Sequence, residues 1–423
     1  MLKHIFIIIL LFFYVFGVPF SFFPTNTSKL VLVLLLTLFI VSFFSKADRN
    51  LKINKNIYYI LIYLVILFFM SIVCTTFHET NDFSIPYVYL IMLFEVFLGS
   101  ILFYKLFLYK YSFKQLLGLF IWIALIQSIV IILMFVLEPF RDFIMSVSKN
   151  DITDLTERYG GFRGFGLASS VTYDLAVFLS INMMFITYLI SINKEKRFFY
   201  IFSWLTIFIA VLMTGRTGWI GVFLSLVILF YFIKNKNSLK SIGILLGSIF
   251  MFIFLIIYIL TKYYPNVYDT LILNVIPYAF EMFFNLYEVG SFSTASSDHI
   301  AHMYFDVPIN TLLFGDGYYK NPYGEGYYMT VDAGYMRQML FYGLVPSGIL
   351  YTFYIFGFYK IYNNTKYDKN IWILIVLMCG YFFLAHYKGD FLTGSPMNIK
   401  LFFIILIFTI LSINSKKKKS CLN

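Results

Sequence analysis

Asp298-His299-Ile300-Ala301-His302, Phe314-Gly315-Asp316-Gly317 and Val331-Asp332-Ala333-Gly334-Tyr335-Met336-Arg337 all fall in one polar interval, Lys262–Arg337, with long apolar runs on either side. The contrast between the interval and its flanks decides the fold. The chain is 61% hydrophobic and only 13% charged, with a mean hydropathy of +0.83, whereas a soluble domain carries about 25% charged residues to cover its surface. A water-soluble globule is therefore excluded. Crossing about 30 Å of hydrocarbon takes roughly 20 apolar residues, and a helix satisfies its own backbone polar groups without water. The expectation is an all-α polytopic integral membrane protein, a single transmembrane domain over residues 1–423.

Apolar windows predict about 12 transmembrane helices, at 4–23, 28–45, 57–76, 86–108, 115–137, 171–192, 200–214, 217–233, 241–261, 338–359, 371–387 and 397–413. Met1-Leu2-Lys3 and the run after it lack a small-residue cleavage site, so the first segment reads as a retained span. The net charge of +11 is spread through short loops, which argues against nucleic acid as a partner and for the positive-inside rule. Lysines crowd the segments that alternate with the longer loops, and Lys416–Lys419 closes the chain. Both termini are thus predicted to be cytoplasmic, with residues 414–423 a Lys-rich tail. Residues 138–170 then form one outer loop. Residues 262–337, between helices 9 and 10, form a large one, in which Leu271–Tyr287 reads as an interfacial amphipathic helix. Cys74, Cys379 and Cys421 form no disulfide framework or metal-ligand spacing.

Arginine and lysine are sorted by side in this topology. Arg141, Arg158, Arg163, Arg216 and Arg337 fall outside, while most lysines fall inside. A planar guanidinium presents a fork of donors that fits two phosphate oxygens, so the outer arginines point to a phosphate-bearing ligand; the plainer reading pairs them with Asp151, Asp154, Glu157 or lipid headgroups. Arg216 is the sharpest case, because Met213-Thr214-Gly215-Arg216-Thr217-Gly218-Trp219 is a turn too short to carry the charge far from the helix ends. Arg158 and Arg163 lie among Gly160, Gly161, Gly164 and Gly166, which permit close backbone approach to an anion. His299 and His302, three residues apart, share a helical face as base or ligand candidates, without the further ligands a metal site needs. Asp332 and Asp316 are the carboxylate candidates, Asp332 also standing where a helix N-cap is expected. Glu95 lies within an apolar segment and must face protein or a polar pocket. His386–Asp390 is a candidate cavity wall.

Three motifs in their order resemble the O-antigen polymerase and O-antigen ligase superfamily of bacterial lipid-linked glycan transferases: Arg158-Tyr159-Gly160-Gly161-Phe162, Gly215-Arg216-Thr217, and Phe314-Gly315-Asp316-Gly317 followed by Asp332-Ala333-Gly334-Tyr335-Met336 and Gly343-Leu344. Asp332-Ala333-Gly334, where the ligase branch usually shows histidine and asparagine, is similar to the polymerase branch, and His299 stands where an arginine is often found. The resemblance implies a GT-C-like architecture in the bacterial cytoplasmic membrane with an outward-facing active site. There, undecaprenyl-pyrophosphate-linked oligosaccharide repeats would be polymerised into O-antigen or capsule, without a metal or cofactor. Arg158, Arg163 and Arg216 would hold the pyrophosphate, and Asp332 or His299 would activate the acceptor hydroxyl. Arg337, Tyr335, His302 and Lys388 would make weaker substrate contacts. Membrane lipids, a chain-length regulator and a flippase are the implied partners. The competing readings are ligase-type glycan transfer, a lipid-linked glycan flippase or other transporter, and a membrane scaffold.

Overall fold

The computed structural model describes residues 2–45, 54–149, 165–192, 196–232, 243, 247, 251, 254, 257–291, 293–368 and 370–420. Arg158, Arg163 and most of the predicted span 241–261 lie outside the described residues. The chain is helical throughout, with two isolated bridges and no strand among the described residues. In chain order the helices are α1 (Leu2–Phe16), α2 (Thr27–Ser45), α3 (Lys55–Phe77), α4 (Ser84–Leu108), α5 (Phe113–Val136), α6 (Glu138–Val147), α7 (Tyr173–Ile192), α8 (Arg197–Thr214) and α9 (Gly218–Tyr231). They continue with α10 (Pro265–Ala279), α11 (Glu281–Glu288), α12 (Ala295–Ala301), α13 (Ile309–Phe314), α14 (Gly334–Tyr342), α15 (Leu344–Thr365), α16 (Ile371–Lys388), α17 (Phe391–Gly394) and α18 (Pro396–Ser420).

Among the described residues, α2, α3, α4, α5, α7, α8, α15 and α16 are long and apolar enough to cross a membrane, eight in all, and the bent pair α10–α11 makes up to nine. This is the make-up of a membrane protein. Leu2–Phe16, Gly218–Tyr231 and Pro396–Ser412 are shorter apolar helices at three further expected positions. Two predicted boundaries move for backbone reasons. The helix expected over 4–23 stops at Phe16, where Gly17 takes a φ of +55°, ahead of Pro19. The one expected over 338–359 is split: Gly343, at φ +77°, ends α14 and starts α15. The expected interfacial helix over 271–287 is two helices bent by 73° at Phe280.

The chain divides into two compact units, Met1–Ser28 with Lys114–Thr294, and Lys29–Phe113 with Ala295–Asn423. In the first, α7 is the buried centre, packed by α8 and α9, and nearly every residue from Asp174 to Ile190 is buried. Its polar residues Ser180, Asn182 and Thr187 turn their donors onto carbonyls of their own helix, which offsets part of the cost of burying them.

In the second unit the buried centre is the apolar part of α18, packed by α3, α4, α15 and α17. Phe353, Tyr354, Phe358, Phe382 and Phe402 interlock here, and Gly357 leaves room for the Phe402 ring, which any Cβ would strike. Inside this apolar packing Lys400 Nζ meets Glu95 Oε1 at 2.8 Å, both side chains buried. Glu95 sits on a π-helical stretch, Met92–Phe97, where the extra residue per turn swings a side chain out of the regular register. The partner of the acid noted in the sequence is therefore a lysine of α18.

A buried ion pair that loses one member leaves an uncompensated charge, at a cost of about 3–5 kcal/mol. Glu95→Ala is expected to lower the thermal stability of the detergent-solubilised protein sharply, and Glu95→Leu with Lys400→Met to recover most of it. Equal melting of the single and double variants would show that the pair carries no such role.

Candidate functional site

Each unit gathers polar side chains around one arginine. In the first, α8 ends at Thr214 and α9 begins at Gly218, with Gly218 N–H donating to the Gly215 carbonyl at 3.0 Å and Trp219 N–H to the Arg216 carbonyl at 3.0 Å. Glycine is required at 218 because a Cβ would collide with Val211 and crowd Ala176 of α7. The turn leaves Arg216 largely buried, its Cζ 4.5 Å from the centre of the Tyr278 ring and its guanidinium paired with Glu281. Both partners come from the α10–α11 bend. Trp219 fixes that bend, its indole N–H donating to the Ala279 carbonyl at 2.9 Å and its ring lying edge-on to Phe280.

A cavity of about 580 Å³ is lined by Met213 and Trp219, which flank the Arg216 turn, and by Val275, Ile276, Ala279 and Phe280 from the bend, with further apolar side chains behind; Arg216 itself does not line it. Its wall is almost wholly apolar. An apolar chamber of this volume, walled by the residues flanking a buried guanidinium, suits an amphiphile with an anionic head and a hydrocarbon tail. The head would exchange with Glu281, which already neutralises the charge.

The second unit assembles its cluster on α14. The chain enters through Phe314-Gly315-Asp316-Gly317, where Gly315 and Gly317 both take a φ of +72° and Asp316 N–H donates to the Leu340 carbonyl at 2.6 Å. Gly315 and Gly343 bring the end of α13 against the end of α14 so closely that a Cβ on either would strike backbone. Asp316 is structural: it accepts from the Thr311 hydroxyl at 2.7 Å and the Tyr328 hydroxyl at 3.2 Å. Residues 319–328 then form a tight hairpin, with Tyr328 N–H donating to the Tyr319 carbonyl and Asn321 N–H to the Gly326 carbonyl. Asp82, in the loop after α3, anchors the first arm by accepting from Tyr319 N–H and Lys320 N–H, each at 2.7 Å. Burial opposes the Asp82 charge, but these amides and Ser84 outweigh it and hold the carboxyl below its ordinary range.

The hairpin arms deliver Tyr319 and Tyr327 to Arg337. The rings are 6.5 Å apart, and Arg337 Cζ lies between them, 3.9 and 3.5 Å from their centres. After Tyr327 the chain passes through Met329 (φ +51°) and Thr330 (φ +57°), left-handed conformations that cost non-glycine residues about 1–3 kcal/mol each. That turn feeds Val331 into a small core with Met303, Ala333, Met336 and Leu340. On the other side, α14 packs on the end of α16, where Gly334 is so close to His386 and Gly389 that a Cβ would collide with both.

Asp390 is the hub of the polar network behind Arg337. Its Oδ2 accepts from the Tyr319 hydroxyl, the Thr393 hydroxyl and, at 3.1 Å, Gln338 Nε2, while Oδ1 accepts from Thr393 N–H at 3.3 Å. Burial disfavours its charge, yet the field of His386 once that ring is protonated at acid pH, the field of Arg337 and the Thr393 and Tyr319 hydrogen bonds prevail and keep the carboxyl below the ordinary 3.8. His386 Nδ1 accepts from Phe391 N–H at 3.2 Å and Leu392 N–H at 3.4 Å, which places the ring proton on Nε2. Its 3.7 Å approach to Asp390 is then a contact of a neutral ring rather than an ion pair.

Of the predicted site residues, Arg216 belongs to the first unit, and Asp332, His299, His302, Tyr335, Arg337 and Lys388 belong to the second. Asp332 is not an N-cap: Ala333 holds that position, and Asp332 Oδ1 instead faces Arg337 Nη1 at 3.9 Å. Its side chain is half exposed, but the protein packed around it pushes its carboxyl above the ordinary range, ahead of the opposing pull of Arg337, Lys388 and His299. A carboxyl so placed can exchange a proton nearer neutrality. His299 and His302 are exposed at the end of α12, and among the described residues no three His, Cys, Asp or Glu side chains gather as a metal site. The Tyr335 hydroxyl is committed to the Phe383 carbonyl at 3.0 Å, and its ring packs on His386. Sequence reasoning missed Tyr319, Tyr327, Gln338 and Asp82. Compared with known proteins, the chain matches no family model, no curated protein and no solved structure.

A group with a lowered folded pKa contributes stability that is complete above its unfolded value and lost as pH falls through the folded one. Asp390 is therefore expected to stabilise the second unit fully above about pH 3.8 and to lose that contribution at lower pH. Asp390→Asn, which gives up hydrogen bonds to a charged acceptor worth about 1.5–3 kcal/mol each, should melt lower at neutral pH and lack this acid step. Identical melting curves for both proteins between neutrality and pH 3 would contradict the role assigned to Asp390.

Proposed function

We propose that the chain is a metal-independent glycosyltransferase that polymerises undecaprenyl-diphosphate-linked oligosaccharide repeats into a surface polysaccharide, working on the outer face of the bacterial cytoplasmic membrane. The observation that carries this reading is the Arg216 turn, whose flanking Met213 and Trp219 line the apolar cavity, an arrangement suited to a ligand that joins a diphosphate to a long hydrocarbon chain. Nucleotide sugars are cytoplasmic, so a transferase acting outside needs a donor already carried across on lipid. The resemblance of the arginine and glycine motifs to the polymerase branch supports the same reading.

In the reaction the acceptor hydroxyl oxygen bonds to the anomeric carbon of the donor sugar. The bond from that carbon to the diphosphate oxygen breaks, and the lipid diphosphate leaves with the bonding pair. Charge grows on the leaving oxygen, and a guanidinium stabilises it most where water is scarce. Arg216 takes this part, with Arg158 and Arg163 as further ligands. The hydroxyl proton passes to water at the outer face. Glu281 holds the Arg216 charge until the diphosphate replaces it.

Arg216→Ala should reduce long-chain polysaccharide at least tenfold while the protein still inserts and single repeats still reach the surface, because one charged hydrogen bond is worth about 1.5–3 kcal/mol. Arg216→Lys should recover little, since an ammonium cannot match the fork geometry. The readout is the glycan size ladder of cells that depend on the variant. An unchanged ladder in Arg216→Ala would sink the reading, and loss of all surface glycan in cells lacking the protein would point to ligation or flipping instead.

A further inference from the structure

We propose that the second unit holds a subsite for a carboxylate carried on a sugar, received by the Nε–Nη2 edge of Arg337; it rests on the glycan-polymerase reading and narrows the substrate to acidic repeats. Arg337 is 6% exposed. Among the described residues neither its Nε nor its Nη2 has a hydrogen-bond partner. Those two nitrogens form one side of the guanidinium, and their parallel N–H bonds match the two oxygens of a carboxylate. The neighbouring acids do not supply that match. Asp332 approaches only Nη1, at 3.9 Å, beyond hydrogen-bond length. Asp390 is spent on Tyr319, Gln338 and Thr393.

The surroundings hold the fork still. Tyr319 and Tyr327 press on the guanidinium from the two arms of a hairpin that Asp82 anchors, so little side-chain freedom remains to be lost on binding. The Tyr327 ring is partly exposed and Asp332 is exposed, which puts the rim of the cluster within reach of a ligand. Charge decides between oxyanions. Asp332 and Asp390 both lie in the electrostatic field of Arg337, so a ligand with several negative charges meets two carboxylates, whereas a single carboxylate carries the least repulsion. A monoanionic sugar acid therefore fits better than a diphosphate.

The test is binding to the purified full chain in detergent at fixed ionic strength, read as the shift in melting temperature with glucuronate, glucose or inorganic pyrophosphate. Glucuronate should stabilise the protein saturably and glucose should not. The glucuronate shift should vanish in Arg337→Gln, and the affinity should fall at least tenfold in Arg337→Lys. Tyr327→Ala, whose ring is partly exposed, gives a second variant if Arg337→Gln fails to fold, and it should also weaken glucuronate binding. Equal shifts with glucose and glucuronate, an unchanged glucuronate shift in Arg337→Gln or in Tyr327→Ala, or stabilisation by pyrophosphate alone would overturn the subsite. Because no polymer is measured, an unchanged glycan ladder in Arg216→Ala would refute the polymerase and leave this result to be judged separately.

Discussion

Charge in an apolar interior is the constraint on which the structure depends. With so few charged residues in so hydrophobic a chain, each buried one has to be neutralised by another part of the same unit, and the pairings cross long sequence distances. Lys400 answers Glu95 between α18 and α4, and Arg216 is answered by Glu281 from a bend 65 residues further along the sequence. Arg337 has two aromatic rings and a carboxylate beyond hydrogen-bond length, which leaves part of its buried donor set without a hydrogen-bond partner among the described residues. The Glu95–Lys400 pair joins α4 to α18, and the Arg216–Glu281 pair joins the turn before α9 to α11.

Close backbone approach is the second organising element, and it serves the polar clusters directly. Gly218 lets the Arg216 turn settle against α7, and Gly334 lets α14 rest on the end of α16 beside Asp390. Gly315 and Gly343 join α13 to α14, so that the hairpin carrying Tyr319 and Tyr327 starts from a fixed point. These contacts exclude even a methyl group. They transmit position from the apolar helices, which are rigid by packing, to loops that would otherwise have little to hold them.

The strained turn at Met329–Thr330 belongs to the same logic. Left-handed threonine is costly, yet the turn places Val331 in the small core and Tyr327 on Arg337 in consecutive steps. Strain of this kind persists where the surroundings over-determine the backbone, and such places are often sites of function.

The sequence by itself determined the class of molecule. Apolar runs of about 20 residues admit no fold but membrane-length helices, because backbone polar groups must be satisfied without water, and that argument needs no tertiary information. It also singled out Arg216, Arg337, Asp332 and the His386–Asp390 segment as candidates, since those residue types are costly beside so much hydrocarbon. What it did not determine is which of them meet. The helix breaks at Gly343 and Phe280 depend on a positive φ and a bend that hydrophobicity does not encode. The cluster around Arg337 joins residues 82, 319, 327, 338 and 390, tyrosines and a glutamine among them, in a chain with 35 tyrosines and no local mark on these two. Only the tertiary structure chose them, because a guanidinium is satisfied by whatever polar or aromatic groups the packing of distant helices brings to it.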